Sequence, residues 1–276
     1  MTYSTLLVMI EVDRPNAAVL QVAADLAGRL TCAVIGIAAC HPMQVVYADG
    51  YRTADLIEQD RALKEEWINK SEAEFRTVLG PRVANLEWRS SIGYLAISDY
   101  VAVNARAADL LLTSPARAKS MLASGPRFDL GALVIQLGRP ALIVPHGTVA
   151  LALQHIMIAW KDTRETRRAV LDALPLLRQA DRVTVAQVTA EADAADARAG
   201  LSDVVNWLGR HGVAASMVVS AAKGDDAGGL ERLAIEHGVT FLVAGAYGHN
   251  RLREWAMGGV TRDLLTRPSR CTLLSH

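Results

Sequence analysis

A chain of 276 residues has room for one large domain or two ordinary ones, each able to bury a core of its own. Its 51% hydrophobic and 21% charged content is that of a globular protein and excludes disordered and fibrous classes. Lys plus Arg and Asp plus Glu number 29 each, so no net field recommends nucleic acid or an acidic membrane as a partner. Cys32, Cys40 and Cys271 form no CxxC pair and no His/Cys set spaced for zinc, and they read as buried thiols in a reducing compartment. The first residues lack a basic region, their apolar run is broken at Glu11 and Asp13, and no segment reaches the roughly 18 to 20 apolar residues that span a bilayer. The expected location is the cytoplasm.

The first apolar run, Thr5 to Ile10, is short and lacks polar alternation, as expected of a parallel strand covered on both faces. Asp13 and Pro15 read as a cap and a first-turn proline, leading into Val19, Leu20, Ala23, Leu26, Ala27 and Leu30 at helical spacing. Cys32 to Ala39 is again a continuous apolar strand, which completes a βαβ unit. Residues 53 to 79 read as a longer charged helix with apolar Leu56, Leu63, Trp67 and Phe75 among Glu, Lys and Arg, which suits a helix lying against a sheet face. Leu86 to Arg89 is a candidate third strand, Ala96 to Arg106 a helix and Asp109 to Thr113 a fourth strand. Leu130 to Leu137 is helical, Gly138-Arg139-Pro140 turns the chain, and Ala141 to Val144 is a fifth strand.

The order then begins again. His155 to Trp160 reads as a strand, Thr163 to Arg178 as a helix with a kink at Pro175, and Val183 to Thr189 as a strand. Gly200 to Arg210 is helical, Ala215 to Ser220 a strand, Gly229 to His237 a helix and Val239 to Ala244 a strand. Val260 to Arg267 and Thr272 to Leu274 close the series. The matching order at a displacement of about 130 to 150 residues is an internal repeat of domain size. Strands alternating with helices imply two tandem doubly wound, mostly parallel five-stranded sheets flanked by helices, with ligand crevices at the carboxyl ends of the strands. The expected domains are residues 1–147 and 152–276. The first half carries an insertion, His41 to Arg52, that reads as a loop over the sheet edge or a partner-binding lid.

The densest cluster of unusual residues follows the fourth strand of the second half. It runs Gly245-Ala246-Tyr247-Gly248-His249-Asn250-Arg251, then Leu252 to Met257, then Gly258-Gly259-Val260-Thr261. Glycines let backbone N–H groups approach a ligand closely, and Gly258-Gly259 stand where a helix should begin, a natural seat for phosphate. Thr261 can add a hydroxyl donor, and His249 and Arg251 can offer positive charge from across the loop. The loop is neither a Walker A sequence nor GxGxxG.

With Gly245, Gly248 and Gly258 in the spacing G-x2-G-x9-G, the loop resembles that of the universal stress protein family. Gly259-Val260-Thr261 stands where that family has Ser-Val-Thr. The resemblance covers essentially the whole chain as a tandem pair, and it implies a stress-response protein binding an adenine nucleotide, ATP or AMP, in its second half. By that resemblance the phosphate contacts fall on Gly248, Gly258, Gly259, Val260 and Thr261, and Ala244 and Gly245 lie where ribose and base approach. Adenine recognition would involve Ala159-Trp160 and Val188. Lys161 stands where many members have an Asp and can pair with phosphate, while Asp162, one step later, can equally be a helix cap. Mg2+ can accompany ATP, and no metal is required by the residues. In the first half, Ser114-Pro115-Ala116-Arg117 and Ser124-Gly125-Pro126-Arg127 lack the glycine spacing, so that half is expected to be structural, packed on its partner as the family's two-chain dimers are. A further homodimer remains open.

No nucleophile, base and orienting group stand at usable spacing, so no catalytic residue is assigned and hydrolysis, if any, is expected to be slow. His211-Gly212 and His237-Gly238 read as helix C-termini. Trp160, Trp255 and Tyr247 can stack on a base or fill the core. Three functions follow: a nucleotide-binding regulator, an interaction module with a vestigial loop, and a weak hydrolase or transferase using His249.

Overall fold

A computed structural model of the chain describes residues 2–12, 14–43, 53–116, 128–221, 226–247 and 259–276. The first half places β1 (Thr5–Ile10), α1 (Ala17–Leu30), β2 (Ala33–Cys40), α2 (Thr53–Leu79), β3 (Leu86–Ile92), α3 (Ile97–Asn104), β4 (Leu110–Thr113), α4 (Leu130–Gln136) and β5 (Ala141–Ile143) in order. The second half repeats it with β6 (His155–Ala159), α5 (Arg164–Leu177), β7 (Arg182–Thr189), α6 (Ala194–Arg210), β8 (Ala215–Ala221), α7 (Asp226–Glu236), β9 (Phe241–Gly245), α8 (Gly259–Thr266) and β10 (Cys271–Ser275). Every residue from Leu6 to Ile10 is buried, which is why that strand is apolar without alternation.

Two five-stranded sheets were expected, and they meet edge to edge in one ten-stranded sheet of order β3-β2-β1-β4-β5-β10-β9-β6-β7-β8. All neighbouring pairs are parallel except the central one, where β5 and β10 run antiparallel with Ala141 opposite Leu274 and Ile143 opposite Thr272. The strands of the two halves therefore point in opposite directions. The carboxyl-end crevice of the second half opens beside the amino ends of the first half's strands.

One face of the sheet carries α1, α2, α5 and α6 over a single apolar cluster that runs from Leu6 and Phe75 through Leu142 to Leu273 and Leu208. The other face has two clusters. One holds α3 and α4 with Ala244, Ala246, Leu265 and Leu274, and the other holds α7 with Met157, Ala186 and Leu242.

Several local expectations change. The start of α1 falls at Ala17, with Asn16 at the cap position and Pro15 before it, and Asp13 lies outside the described residues. Asn16 is buried and spends its side chain on the preceding turn. Its Oδ1 accepts from Glu11 N–H at 2.9 Å, and its Nδ2 donates to the carbonyls of Glu11 and Arg14. The helix begins only once that turn is closed. Helix α5 runs through Pro175 to Leu177, and α6 begins six residues earlier than the apolar spacing indicated, in an alanine-rich turn without a periodic signal. Gly212 and Gly238 take φ of +77° and +60°, so His211 and His237 do close their helices. Cys32 and Cys271 are buried, Cys40 is half-buried, and all three are free thiols. Residues 44–52 of the insertion lie outside the described residues.

Candidate functional site

In the second half the strand order reverses between β6 and β9, because β6 leads to β7 and β8 on one side while β9 leads to β10 on the other. Loops leave a doubly wound sheet in opposite directions at such a point and open a crevice at the carboxyl ends of the strands. Ala159, the last residue of β6, is paired in register with Ala244 of β9. Ala244 packs in the α3–α4 cluster, and Ala159 touches both that cluster and the α7 cluster, as does Leu264 of α8. Val188, near the end of β7, packs against α7, where a Cβ on Gly229 would stand 3.2 Å from Val188 Cγ1. Ala159, Ala244 and Val188 thus form an apolar floor at the seam between two clusters, with small alanine side chains at the two central strand ends.

The opposite face of the same strand ends is closed. A Cβ on Gly245 would lie 2.5 Å from Thr166 N and 2.8 Å from Thr166 Oγ1, so only glycine lets the first turn of α5 rest on β9. That turn is capped by Thr163, whose Oγ1 accepts from Thr166 N–H at 3.3 Å. Asp162 was the expected alternative cap. It is instead exposed and paired with Arg167 at 3.2 Å, because the tight bond from Thr163 N–H to Lys161 O hands the cap position to the threonine. The Trp160 N–H donates to Ala186 O at 2.7 Å, and its ring packs into the α5–α6 core, on the face away from Ala159. The pleat therefore gives Trp160 to the core and Ala159 to the crevice. Lys161 is exposed at the rim.

Behind Gly245 sits Glu165, 2% exposed. Its Oε1 accepts from Arg164 Nε at 2.5 Å, and its buried Oε2 has no hydrogen-bond partner among the described residues. Burial alone would raise this carboxyl, but hydrogen bonds from Arg164, its own backbone N–H and Thr163 outweigh it and hold the group below the usual carboxylate range. An ionised carboxylate paired with Arg164 therefore lies behind the strand ends.

Beyond β9, Ala246 N–H donates to Ser275 O at 2.8 Å and Tyr247 takes a left-handed φ of +57°. That turn carries the tyrosine ring onto α4 of the first half, where a Cβ on Gly131 would stand within contact of the hydroxyl, and edge-on to His276 at 6.4 Å. Burial, and then Asp129, push the Tyr247 phenol up to about 12. Tyr247 is thus packed between the halves. Helix α8 is described from Gly259, with Val260 next and Thr261 half-buried. Gly248, His249, Arg251 and Gly258, with Trp255, lie outside the described residues. Of the remaining predicted residues, Ala159, Val188, Ala244 and Gly245 meet at the strand ends, Lys161 stands at the rim and Gly259 to Thr261 open α8.

In the first half, the residues after β4 pack onto the partner half, with Ala116 N–H donating to Leu265 O at 2.7 Å. Among the described residues no group of three or more His, Cys, Asp or Glu is placed to hold a metal. His155 is buried at the amino end of β6, far along the strand from the crevice. Its Nδ1 lies 2.9 Å from His237 O and its Nε2 2.8 Å from Thr184 Oγ1. Glu165 and Leu264 escaped the sequence reading, since a first-turn glutamate and a helical leucine look ordinary until the fold sets them beside β9.

No protein-family model matches the chain, and no curated protein matches it in sequence. Its fold does match solved structures. A universal stress protein from Archaeoglobus fulgidus DSM 4304 superposes with a TM-score of 0.73 at 12% identity, over 98% of this chain and 97% of that one. A Pseudomonas aeruginosa UCBPP-PA14 protein assigned to the universal stress proteins gives 0.61 at 14% identity, over 99% and 93%. A functionally unknown protein from Pseudomonas aeruginosa PAO1 gives 0.60 at 13% identity, over 99% and 92%. Across its whole length the chain thus has the universal stress protein fold, with two α/β units in tandem joined into one sheet.

Proposed function

We propose that the second half binds an adenine nucleotide, ATP or AMP, and that the protein acts in the cytoplasm as a stress-response regulator through binding rather than turnover. The observation that carries this reading is the apolar floor of Ala159, Ala244 and Val188 at the point where the strand order reverses, with α8 packed beside it through Leu264. A flat base fits over such a floor, as apolar pockets with a few polar groups take cofactors. The ribose and base lie over the floor, and the phosphates extend toward the first described turn of α8 at Gly259, Val260 and Thr261. Gly248, Gly258, His249 and Arg251 are assigned to the phosphate loop by their spacing, and Lys161 at the rim supplies a further positive charge. Mg2+ accompanies ATP through the phosphates. The two halves act as an intramolecular pseudo-dimer in which the first half is the structural partner.

Thermal shift and native mass spectrometry with ATP, AMP and GTP test the reading. A ligand at a hundred times its Kd stabilises by about 2.7 kcal/mol, so millimolar adenine nucleotide is expected to raise Tm by several degrees. Lys161→Ala and Thr261→Ala each weaken the shift, and GTP gives less of it. No bound nucleotide and no shift at millimolar ligand would overturn the proposal. That outcome favours the interaction module, a reading to which the anchoring of Tyr247 between the halves lends support.

A further inference from the structure

Among the described residues the ten-stranded sheet ends in two unpaired edges, and they differ in chemistry. At one end β3 reads Leu86-Glu87-Trp88-Arg89-Ser90-Ser91-Ile92, and Glu87 and Arg89 form an ion pair at 2.7 Å, with Arg89 Nη1 also donating to Asn104 Oδ1 at 2.9 Å. At the other end β8 reads Ala215-Ser216-Met217-Val218-Val219-Ser220-Ala221, with no charge, glycine or proline. The two strands are equivalent. Leu86 pairs with Val34 of β2 as Ala215 pairs with Val183 of β7, so Ser216 and Val218 stand where the first half has Glu87 and Arg89. Ser216 turns its hydroxyl inward to Thr184 Oγ1 at 3.1 Å, and Met217 is 43% exposed.

Unpaired strand edges invite pairing, and proteins guard the edges they leave free with charge. This chain follows that rule at its other edges. β3 is free and carries an ion pair, while β5 and β10 are uncharged and pair with each other antiparallel. Among the described residues β8 alone is both uncharged and paired on one side only.

We propose that β8 is the edge through which two copies of this chain join, antiparallel about a two-fold axis. Centred on Val218, the axis brings Val218 opposite Val218, Met217 opposite Val219 and Ser216 opposite Ser220, so no charge meets a like charge and each side completes the other. The same operation at β3 would set Arg89 against Arg89. Helix α6, which lies over β7 and β8 with Trp207 half-buried, widens the contact beyond the strand itself. A second copy is the occupant because β8 is complementary to itself, as the pairing of β5 with β10 shows for two bare edges of this same chain. The inference is independent of nucleotide binding.

Light scattering on the full chain tests it, over concentrations from about 1 µM to about 100 µM. The expected mass rises from 29.7 kDa toward twice that value. Ser216→Glu combined with Val218→Arg rebuilds the guard of β3 on β8, and this variant is expected to stay at the monomer mass while keeping the wild-type far-ultraviolet circular dichroism. A wild-type chain that is monomeric throughout, or a folded double variant that still doubles its mass, overturns the proposal. Should the double variant not fold, hydrogen exchange on the wild type decides. Amides of β8 that exchange more slowly at high than at low concentration support the pairing, and equal rates overturn it.

Discussion

Gly245, Asn16 and His155 each act through what their position forbids. At Gly245 a methyl group would meet the backbone of Thr166 at 2.5 Å, and backbone at a helix start cannot swing aside as a side chain can. Gly245→Ala is therefore expected to cost about 1–3 kcal/mol, the usual range for overpacking, and urea unfolding measures it. Gly229→Ala is the contrast, because its nearest neighbour is a Val188 methyl at 3.2 Å that can shift by a few tenths of an ångström. It should cost less than Gly245→Ala in the same assay. Asn16→Ala would remove the three side-chain bonds to the Glu11 and Arg14 backbone that close a half-buried turn, at about 1–3 kcal/mol. For His155, burial lowers the imidazole pKa from the ordinary value of about 6.5. Below pH 6.5 the unfolded chain takes up a proton that the folded chain refuses, so stability is complete above that pH and falls as pH drops through it. Unfolding midpoints at pH 7.5 and 5.5 should show this loss, and His155→Gln should flatten the difference.

At the scale of elements, helix ends decide more than helix interiors. Thr163→Ala removes the cap of α5 and is expected to destabilise by about 1 kcal/mol, whereas Asp162→Ala, at an exposed ion pair, should fall within about 0.5 kcal/mol of wild type. The order and type of the strands and helices were legible in the chain because buried parallel strands leave continuous apolar runs, as in Leu6 to Ile10 and Ile156 to Ile158. Boundaries were less so. The alanines before Ala197 in α6 carry no periodic contrast, and Asn16 delays α1 by bonds that no spacing reveals. For the candidate site, the glycine spacing falls between the end of β9 and the described start of α8, near the point where the strand order reverses. Which strand-end residues face the crevice depended on the pleat: adjacent in sequence, Trp160 and Ala159 go to opposite faces. Glu165 became a feature only when α5 settled on Gly245.

At the scale of the whole molecule, the halves look separable in sequence yet share one core. A chain of this length ordinarily unfolds domain by domain, since two-state behaviour is the habit of single domains under about 150 residues. Here the central pair β5 and β10 is wholly buried, with Leu142, Ile143, Leu273 and Leu274 all at 0% exposure, and one apolar cluster crosses from β1 to α5 without a break. Polar ties follow the same seam. Tyr3 Oη donates to Asp172 O at 2.6 Å, Arg168 Nη2 donates to Gly138 O at 3.2 Å, and Leu151 N–H donates to Asp25 Oδ2 at 3.1 Å. Unfolding either half alone would bare the edge of β5 or β10 and its leucines, and strip Tyr3 and Asp172 of each other. That penalty falls on the surviving half and couples the two. Calorimetry of the ligand-free chain should therefore give one transition, with calorimetric and van't Hoff enthalpies equal. Leu273→Ala, about 2–5 kcal/mol destabilising by loss of a buried leucine, should lower that single Tm rather than split it. Two resolved transitions, or a Leu273→Ala scan in which one half melts at the wild-type temperature, would mean that the shared cluster does not couple the halves.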